Sequence, residues 1–167
     1  ALELTSEPGT HPVLCLHTSL ALYTLTLLFF PLVSFIISLS TSERYSWAVS
    51  LVASLLLLIS AVLSIYILSS YWNQGPVLFS AEWFTIGNTT LSANILLTNT
   101  SMLMLAVVSL ISFLFHVYSI GYMADDPGIK KYFCMLGFFT FSMQGIVLAD
   151  NLLFLFIFWE LVGFSSY

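Results

Sequence analysis

One carboxylate stands alone in a run of apolar residues. Glu160 lies in Leu152-Leu153-Phe154-Leu155-Phe156-Ile157-Phe158-Trp159-Glu160-Leu161-Val162-Gly163. If that run crosses a membrane, inserting the acid costs roughly 2.5–3.5 kcal/mol or more, so the residue has a use. In a medium of low dielectric an unpaired carboxyl holds its proton, and it releases the proton when a cation approaches. A mid-membrane acid facing a movable basic group is therefore the elementary part of a proton relay. The plain alternatives are a protonated carboxyl bonded to a backbone carbonyl, or a helix-packing contact.

The apolar runs contain no Lys or Arg to serve as that basic group. Their one basic candidate is His116, in Leu114-Phe115-His116-Val117-Tyr118-Ser119. A histidine titrates near neutrality and suits proton transfer. It stands seven residues before the apparent end of its span, roughly 10 Å deep at the helical rise. A relay role and a plain position beneath the lipid headgroups both remain open. Ser142 and Gln144 could bond between helices and are expected to be packing groups. Trp159, followed after Glu160 by Gly163-Phe164-Ser165-Ser166, predicts a helix with a small, polar face turned toward protein, with hydroxyls bonding across helices. His11, Cys15 and His17 have a spacing a metal could use, but their place in a polar lead favours no metal. No dinucleotide-binding glycine pattern, phosphate loop or nucleophile elbow occurs, so no bound cofactor is expected. Cys15 and Cys134 are far apart and suggest no disulfide framework.

Composition supplies the membrane. Of 167 residues, 59% are hydrophobic and 7% charged, against about 25% charged in soluble domains. Mean hydropathy is +1.02. Only three residues are Lys or Arg, too few to neutralise a useful number of phosphates, which excludes a nucleic-acid binder. The chain reads as an all-α polytopic membrane protein.

A window of about 20 residues finds five apolar stretches. They run from about Ser19 to Leu39, Tyr45 to Tyr71, Ser101 to Met123, Tyr132 to Ala149, and from Asn151 to Tyr167. The fifth is a little short to cross alone. Pro31 interrupts the first, which a membrane helix tolerates. Residues 1–18 form a polar lead with acids but no Lys or Arg, so the first span is not expected to be a secretory signal. This divides the chain into the lead at 1–18, helices one and two at 19–71, an outer loop at 72–100, and helices three to five at 101–167.

Arg44 and the pair Lys130-Lys131 fall in loops two spans apart, hence on one face. The positive-inside rule makes that face cytoplasmic, or its equivalent. The N-terminus, the 72–100 loop and the Asp150-Asn151 turn fall opposite. Within that loop, β-rich flanks around Gly87-Asn88 predict a short β-hairpin on the membrane surface. Asn88-Thr89-Thr90 and Asn99-Thr100-Ser101 match the glycosylation pattern, which matters only in a secretory-pathway membrane.

Two passages together resemble one family. His116-Val117-Tyr118-Ser119-Ile120-Gly121-Tyr122-Met123 resembles the end of helix three in the antiporter-like membrane subunits of respiratory complex I, of the NADH–quinone oxidoreductase subunit L (chain 5) type. Leu148-Ala149-Asp150-Asn151 with Phe158-Trp159-Glu160-Leu161-Val162-Gly163-Phe164-Ser165-Ser166-Tyr167 resembles that family's turn between helices four and five and its helix-five pattern. The likeness covers about Ala81 to Tyr167, Lys130-Lys131-Tyr132-Phe133 included; the first eighty residues match in hydropathy and helix placement.

The resemblance implies a proton-translocating subunit, in contact with other membrane-arm subunits and with lipid, that couples NADH-to-quinone electron transfer to proton pumping. It would do no redox chemistry itself. Glu160 takes the place of the family's essential glutamate, which pairs with a lysine on a later helix. Family members have many more helices, so the chain is expected to be part of a longer protein. The setting implied is an energy-transducing membrane, with the bacterial inner membrane first and the mitochondrial or thylakoid membrane as the others. A related Mrp-type Na⁺/H⁺ antiporter subunit is the alternative, although those tend to show Trp-Glu-Leu-Thr and to lack Tyr-Ser-Ile-Gly-Tyr-Met. A non-transporting membrane scaffold is a third reading, which Glu160 disfavours.

Overall fold

A computed structural model describes the backbone of residues 2–3, 11–41, 45–72, 76–86, 89–124, 126 and 128–167, and the side chains of 19–41, 45, 47–72, 76–79, 94–124, 126 and 128–167. The elements in order are β1 (Leu2–Glu3), α1 (His11–Ser40), α2 (Ser46–Tyr71), β2 (Val77–Ile86), β3 (Thr89–Leu97), α3 (Asn99–Tyr122), α4 (Ile129–Leu148) and α5 (Leu152–Ser166). Four segments are long and apolar enough to cross a membrane: Ser19–Ser40, Trp47–Tyr71, Asn99–Tyr122 and Ile129–Leu148. Leu152–Ser166 is a shorter apolar helix. The expected spans and the expected hairpin are all present.

Lipid is as apolar as leucine, so helices here do not associate by hiding large apolar groups. They associate through small residues that let backbones approach. On α2 the buried positions are Val49, Ser50, Ala53, Ser54, Leu57, Ser60, Ala61, Ser64, Ile67 and Tyr71, while Leu55, Ile59, Val62 and Tyr66 point outward. The pattern has the helical period, with six of the ten buried positions serine or alanine and the outward positions named here all bulky. α1 packs on α2 and α4, α2 on α3, and α3 on α4, which closes a four-helix body, and α5 lies against α4. Gly137 of α4 meets α1 at its proline: a Cβ there would lie 3.3 Å from Ser34 Oγ and 3.5 Å from the Pro31 carbonyl oxygen. Pro31 has no N–H for the helix ladder, and the bare α4 backbone packs directly against that stretch.

The hairpin pairs β2 with β3 in antiparallel register from Val77↔Leu97 to Ile86↔Thr89, with a bulge between Glu82 and Phe84. Its base is part of the core: Val77, Phe79 and Leu97 pack with Tyr71, Ile67, Met102, Leu105, Leu148 and Leu20. On its far side β3 touches the α4–α5 turn, where Ile95 bridges Ala149 and the Asp150 N–H reaches the Asn94 carbonyl at 3.4 Å. The hairpin thus holds together the ends of four helices.

Two expectations change here. The polar lead has secondary structure: Leu2–Glu3 pairs with Ser80 and Ala81 as a third strand, and α1 begins at His11, eight residues before the expected span. An N-terminal strand gains ladder hydrogen bonds at the open edge of a hairpin, which hydropathy does not register. The side chains of His11, Cys15 and His17 lie outside those described, as do Arg44 and the turn residues Gly87-Asn88. Asn99 opens α3 beside a reciprocal cap, in which Thr98 Oγ1 accepts from Ser101 N–H at 3.1 Å and Ser101 Oγ accepts from Thr98 N–H at 2.7 Å. Capping accounts for the hydroxyls around Asn99 without any glycan.

The strand, the hairpin and the α4–α5 turn share one end of the body, and Lys130 and Lys131, in the first turn of α4, lie at the other. Asn99 and Asp126 are exposed at opposite ends. In the full-length protein with Cys15 and Cys134 replaced by serine, Asn99→Cys is expected to react with an impermeant thiol reagent applied from outside, and Asp126→Cys is expected not to react. Outside labelling at position 126 would invert the topology.

Candidate functional site

α5 starts on a conventional cap: Asn151 Oδ1 accepts the Leu153 N–H at 3.1 Å. Glu160 is the ninth residue of the helix, about 12 Å along its axis. One side of α5 is fitted to α4. The Phe158 ring fills the space a side chain at Gly145 would take, and it meets Phe141 edge-on with ring centroids 5.7 Å apart. Phe164 meets Phe138 in the same way at 6.3 Å. The opposite side, with Phe156, Trp159, Glu160 and Gly163, is exposed. Glu160 has no hydrogen-bond or ion-pair partner among the described residues, and a Cβ at Gly163 would meet nothing within 4 Å.

The expected serine bonds across helices are not made by α5. Ser165 Oγ donates to the Val162 carbonyl at 2.8 Å and Ser166 Oγ to Gly163 at 3.0 Å, both within the helix. A hydroxyl on a helix always has the preceding turn's carbonyl in reach, and here no neighbour competes. Ser142 of α4 likewise donates to Phe138 of its own helix at 2.9 Å, so it is not an interhelical bond. Gln144 is one: its Nε2 donates to Ser109 Oγ of α3 at 3.1 Å and to Ser60 Oγ of α2 at 3.3 Å.

His116 points into the helix body. It is fully buried, and its Nδ1 lies 2.9 Å from the Ser112 carbonyl oxygen. A carbonyl only accepts, so Nδ1 carries the hydrogen, and in the neutral ring Nε2 is left as an acceptor. The ring meets Phe133 of α4 edge-on at 5.5 Å. Nε2 has no hydrogen-bond partner among the described residues, and neither has Gln144 Oε1. Three residues toward the end carrying Lys130 and Lys131, Ser119 Oγ donates to the Phe115 carbonyl at 2.6 Å and lies 3.0 Å from the Tyr132 hydroxyl. The Ser119 hydrogen is already committed, so Tyr132 is the donor of that pair.

The two candidates are therefore not brought together. His116 faces the interior of the four-helix body, Glu160 faces away from it on α5, and α4 stands between. A feature missed in the linear sequence is the stripe Ser109, Ser112, His116, Ser119. Its spacing of three, four and three puts every member on one face of α3, and all four are buried.

Comparisons with known proteins agree with these elements. Residues 83–133 match the family described as NADH-ubiquinone oxidoreductase (complex I), chain 5 N-terminus. The chain is 37% identical over 142 residues to the NADH-quinone oxidoreductase subunit L of Campylobacter jejuni, an alignment covering 84% of this chain and 23% of that protein. It is 38% identical over 122 residues to the chloroplastic NAD(P)H-quinone oxidoreductase subunit 5 of Mesostigma viride, covering 72% and 19%. With subunit L of Escherichia coli it shares 31% over 141 residues, covering 82% and 23%. The chain thus spans about a fifth of the length of the curated relatives it matches.

The seat of α5 on α4 is testable. Gly145→Val would place carbon where the Phe158 ring lies; an overpacked contact of this kind costs about 1–3 kcal/mol. A lower melting temperature of the purified full-length protein is expected, whereas Gly121→Ala, with nothing within 4 Å of the new carbon, is expected to leave it unchanged. Equal melting of both variants with the wild type would mean α5 is not seated this way.

Proposed function

We propose, from the match of residues 83–133 to the complex I chain 5 N-terminal family, that the chain is the N-terminal part of a proton-translocating, antiporter-like subunit of the membrane arm. In this reading it couples NADH-to-quinone electron transfer, carried out elsewhere, to the passage of protons. It binds no redox cofactor and works against other membrane-arm subunits and lipid. Its setting is an energy-transducing membrane, the bacterial inner membrane in the first instance.

The observation that carries the reading is the position of Glu160: a carboxylate about 12 Å into an apolar helix, on the side that α4 does not cover. A carboxyl kept for packing would be expected on the fitted side, bonded to a carbonyl or hydroxyl of α4. Glu160 instead stands where a basic group from further chain could approach it. Gly163, three residues on, lies on the same side and would let a backbone come close. An approaching cation draws the proton off the carboxyl, and its withdrawal returns it.

The relatives' names also favour this reading over the Mrp-type Na⁺/H⁺ antiporter. They are subunits of NADH- or NAD(P)H-quinone oxidoreductases.

In the full-length protein within its complex, Glu160→Gln keeps size and hydrogen bonding and removes titration. Assembly is expected to be normal. NADH–quinone turnover and proton uptake into vesicles are expected to fall together, while Glu160→Asp retains part of both. Normal pumping by the glutamine variant would make the carboxylate structural and overturn the proposal.

A further inference from the structure

Among the described residues five buried side-chain polar atoms have no hydrogen-bond partner: Ser34 Oγ and Ser38 Oγ on α1, Asn94 Oδ1 on β3, and, on the α2–α3–α4 side, His116 Nε2 and Gln144 Oε1. The last two are the ones that share an interior with further polar groups. Both atoms belong to fully buried residues, and both are acceptors, since His116 Nδ1 and the Gln144 amide nitrogen already donate to the protein. A buried acceptor with no donor is costly, and such atoms in native proteins are met by internal water or by a proton.

These two atoms are not isolated from other polar groups. The Tyr132 hydroxyl, on a residue exposed at the inner end of α4, donates to Ser119 Oγ at 3.0 Å. His116 follows one helical turn deeper on the same face of α3, then Ser112, then Ser109, which is bonded to Gln144 and through it to Ser60. From Ser119 to Ser109 the line covers about 15 Å at the helical rise. It begins at the end carrying Lys130 and Lys131. Nonpolar contacts seal it elsewhere: Phe133 lies against the histidine, and Ala53, Ile120, Met123 and Ile129 pack around Phe133.

We propose that the interior of α2, α3 and α4 is a water-bearing proton path, separate from the Glu160 face, leading from Tyr132 and Ser119 through His116 to the Gln144–Ser60–Ser109 cluster at mid-depth. The chemistry is fixed by the tautomer. Nδ1–H points at a carbonyl that cannot pass a proton on, so a proton from water enters at the Nε2 lone pair, forming the imidazolium. It leaves from that same nitrogen to the next water, restoring the neutral ring. At the inlet Tyr132 and Ser119 offer oxygen lone pairs to water, their own hydrogens being held by Ser119 Oγ and the Phe115 carbonyl. The titratable groups on α4 at this level are Tyr132, which joins the line, and Cys134, whose Sγ faces the Phe35 carbonyl of α1 at 4.0 Å and lies off it. The path rests on the reading of the chain as part of a proton-translocating subunit, but not on Glu160 itself.

Two measurements on the full-length protein in its complex test it. A high-resolution experimental structure is expected to show ordered water within hydrogen-bond distance of His116 Nε2 and of Gln144 Oε1; a dry, close-packed pocket at both atoms would overturn the path. Functionally, His116→Asn keeps a donor to Ser112 and His116→Gln keeps a polar group at the Nε2 position, while neither can take up and release a proton. Both variants are expected to assemble and to lose proton uptake and NADH–quinone turnover together, and Tyr132→Phe to slow both. Normal pumping by both histidine variants, alongside loss in Glu160→Gln, would overturn the path and leave the Glu160 reading standing. Normal pumping by all of them would overturn both.

Discussion

Hydrocarbon offers no hydrogen bonds, and every polar group placed within it must find a partner in the chain itself. Most hydroxyls here do so in the most local way, by donating to a carbonyl in the preceding turn of their own helix. Thr24 donates to Leu20 at 2.8 Å, Ser54 to Ser50 at 2.8 Å, Ser64 to Ala61 at 2.7 Å and Thr140 to Leu136 at 2.9 Å. Such residues are small and locally satisfied, so they can line the seams where helices approach closely.

Against that background the groups that are not locally satisfied acquire meaning. Gln144 ties three helices together through Ser60 and Ser109. His116 is locked by Ser112 with one nitrogen left over. Glu160 lies on the uncovered side of α5. α4 separates the interior polar line from the carboxylate, with Phe133 and Gln144 on one side and Gly145, Phe141 and Phe138 on the other. The two groups thus lie on opposite sides of α4.

Much of this was legible in the residues. The number of helices and their apolar spans followed from hydropathy, since a span about 30 Å thick demands about 20 apolar residues whatever the rest of the fold does. The hairpin followed from β-rich flanks about Gly87-Asn88. Glu160 was conspicuous because nothing else in its helix is charged. What did not follow is rotation and partnership. Whether His116 turns inward or toward the headgroups depends on which face of α3 meets α4. That face is marked by Ser109, Ser112 and Ser119 only when they are read at helical spacing. The serines of α5 and Ser142 bond within their own helices because no partner lies opposite them, a fact of packing that composition does not carry. The pairing of Leu2–Glu3 with the hairpin joins residues nearly eighty positions apart, beyond the reach of local patterns.

The central claim is that Glu160 exchanges a proton as the complex works. Infrared difference spectroscopy of the full-length complex, comparing the resting state with steady quinone reduction, reads this directly through the carbonyl stretch of a protonated carboxyl. The account predicts a carboxyl band that changes on turnover and is missing from the difference spectrum of Glu160→Gln. A spectrum in which the carboxyl region is the same in wild type and variant would contradict it.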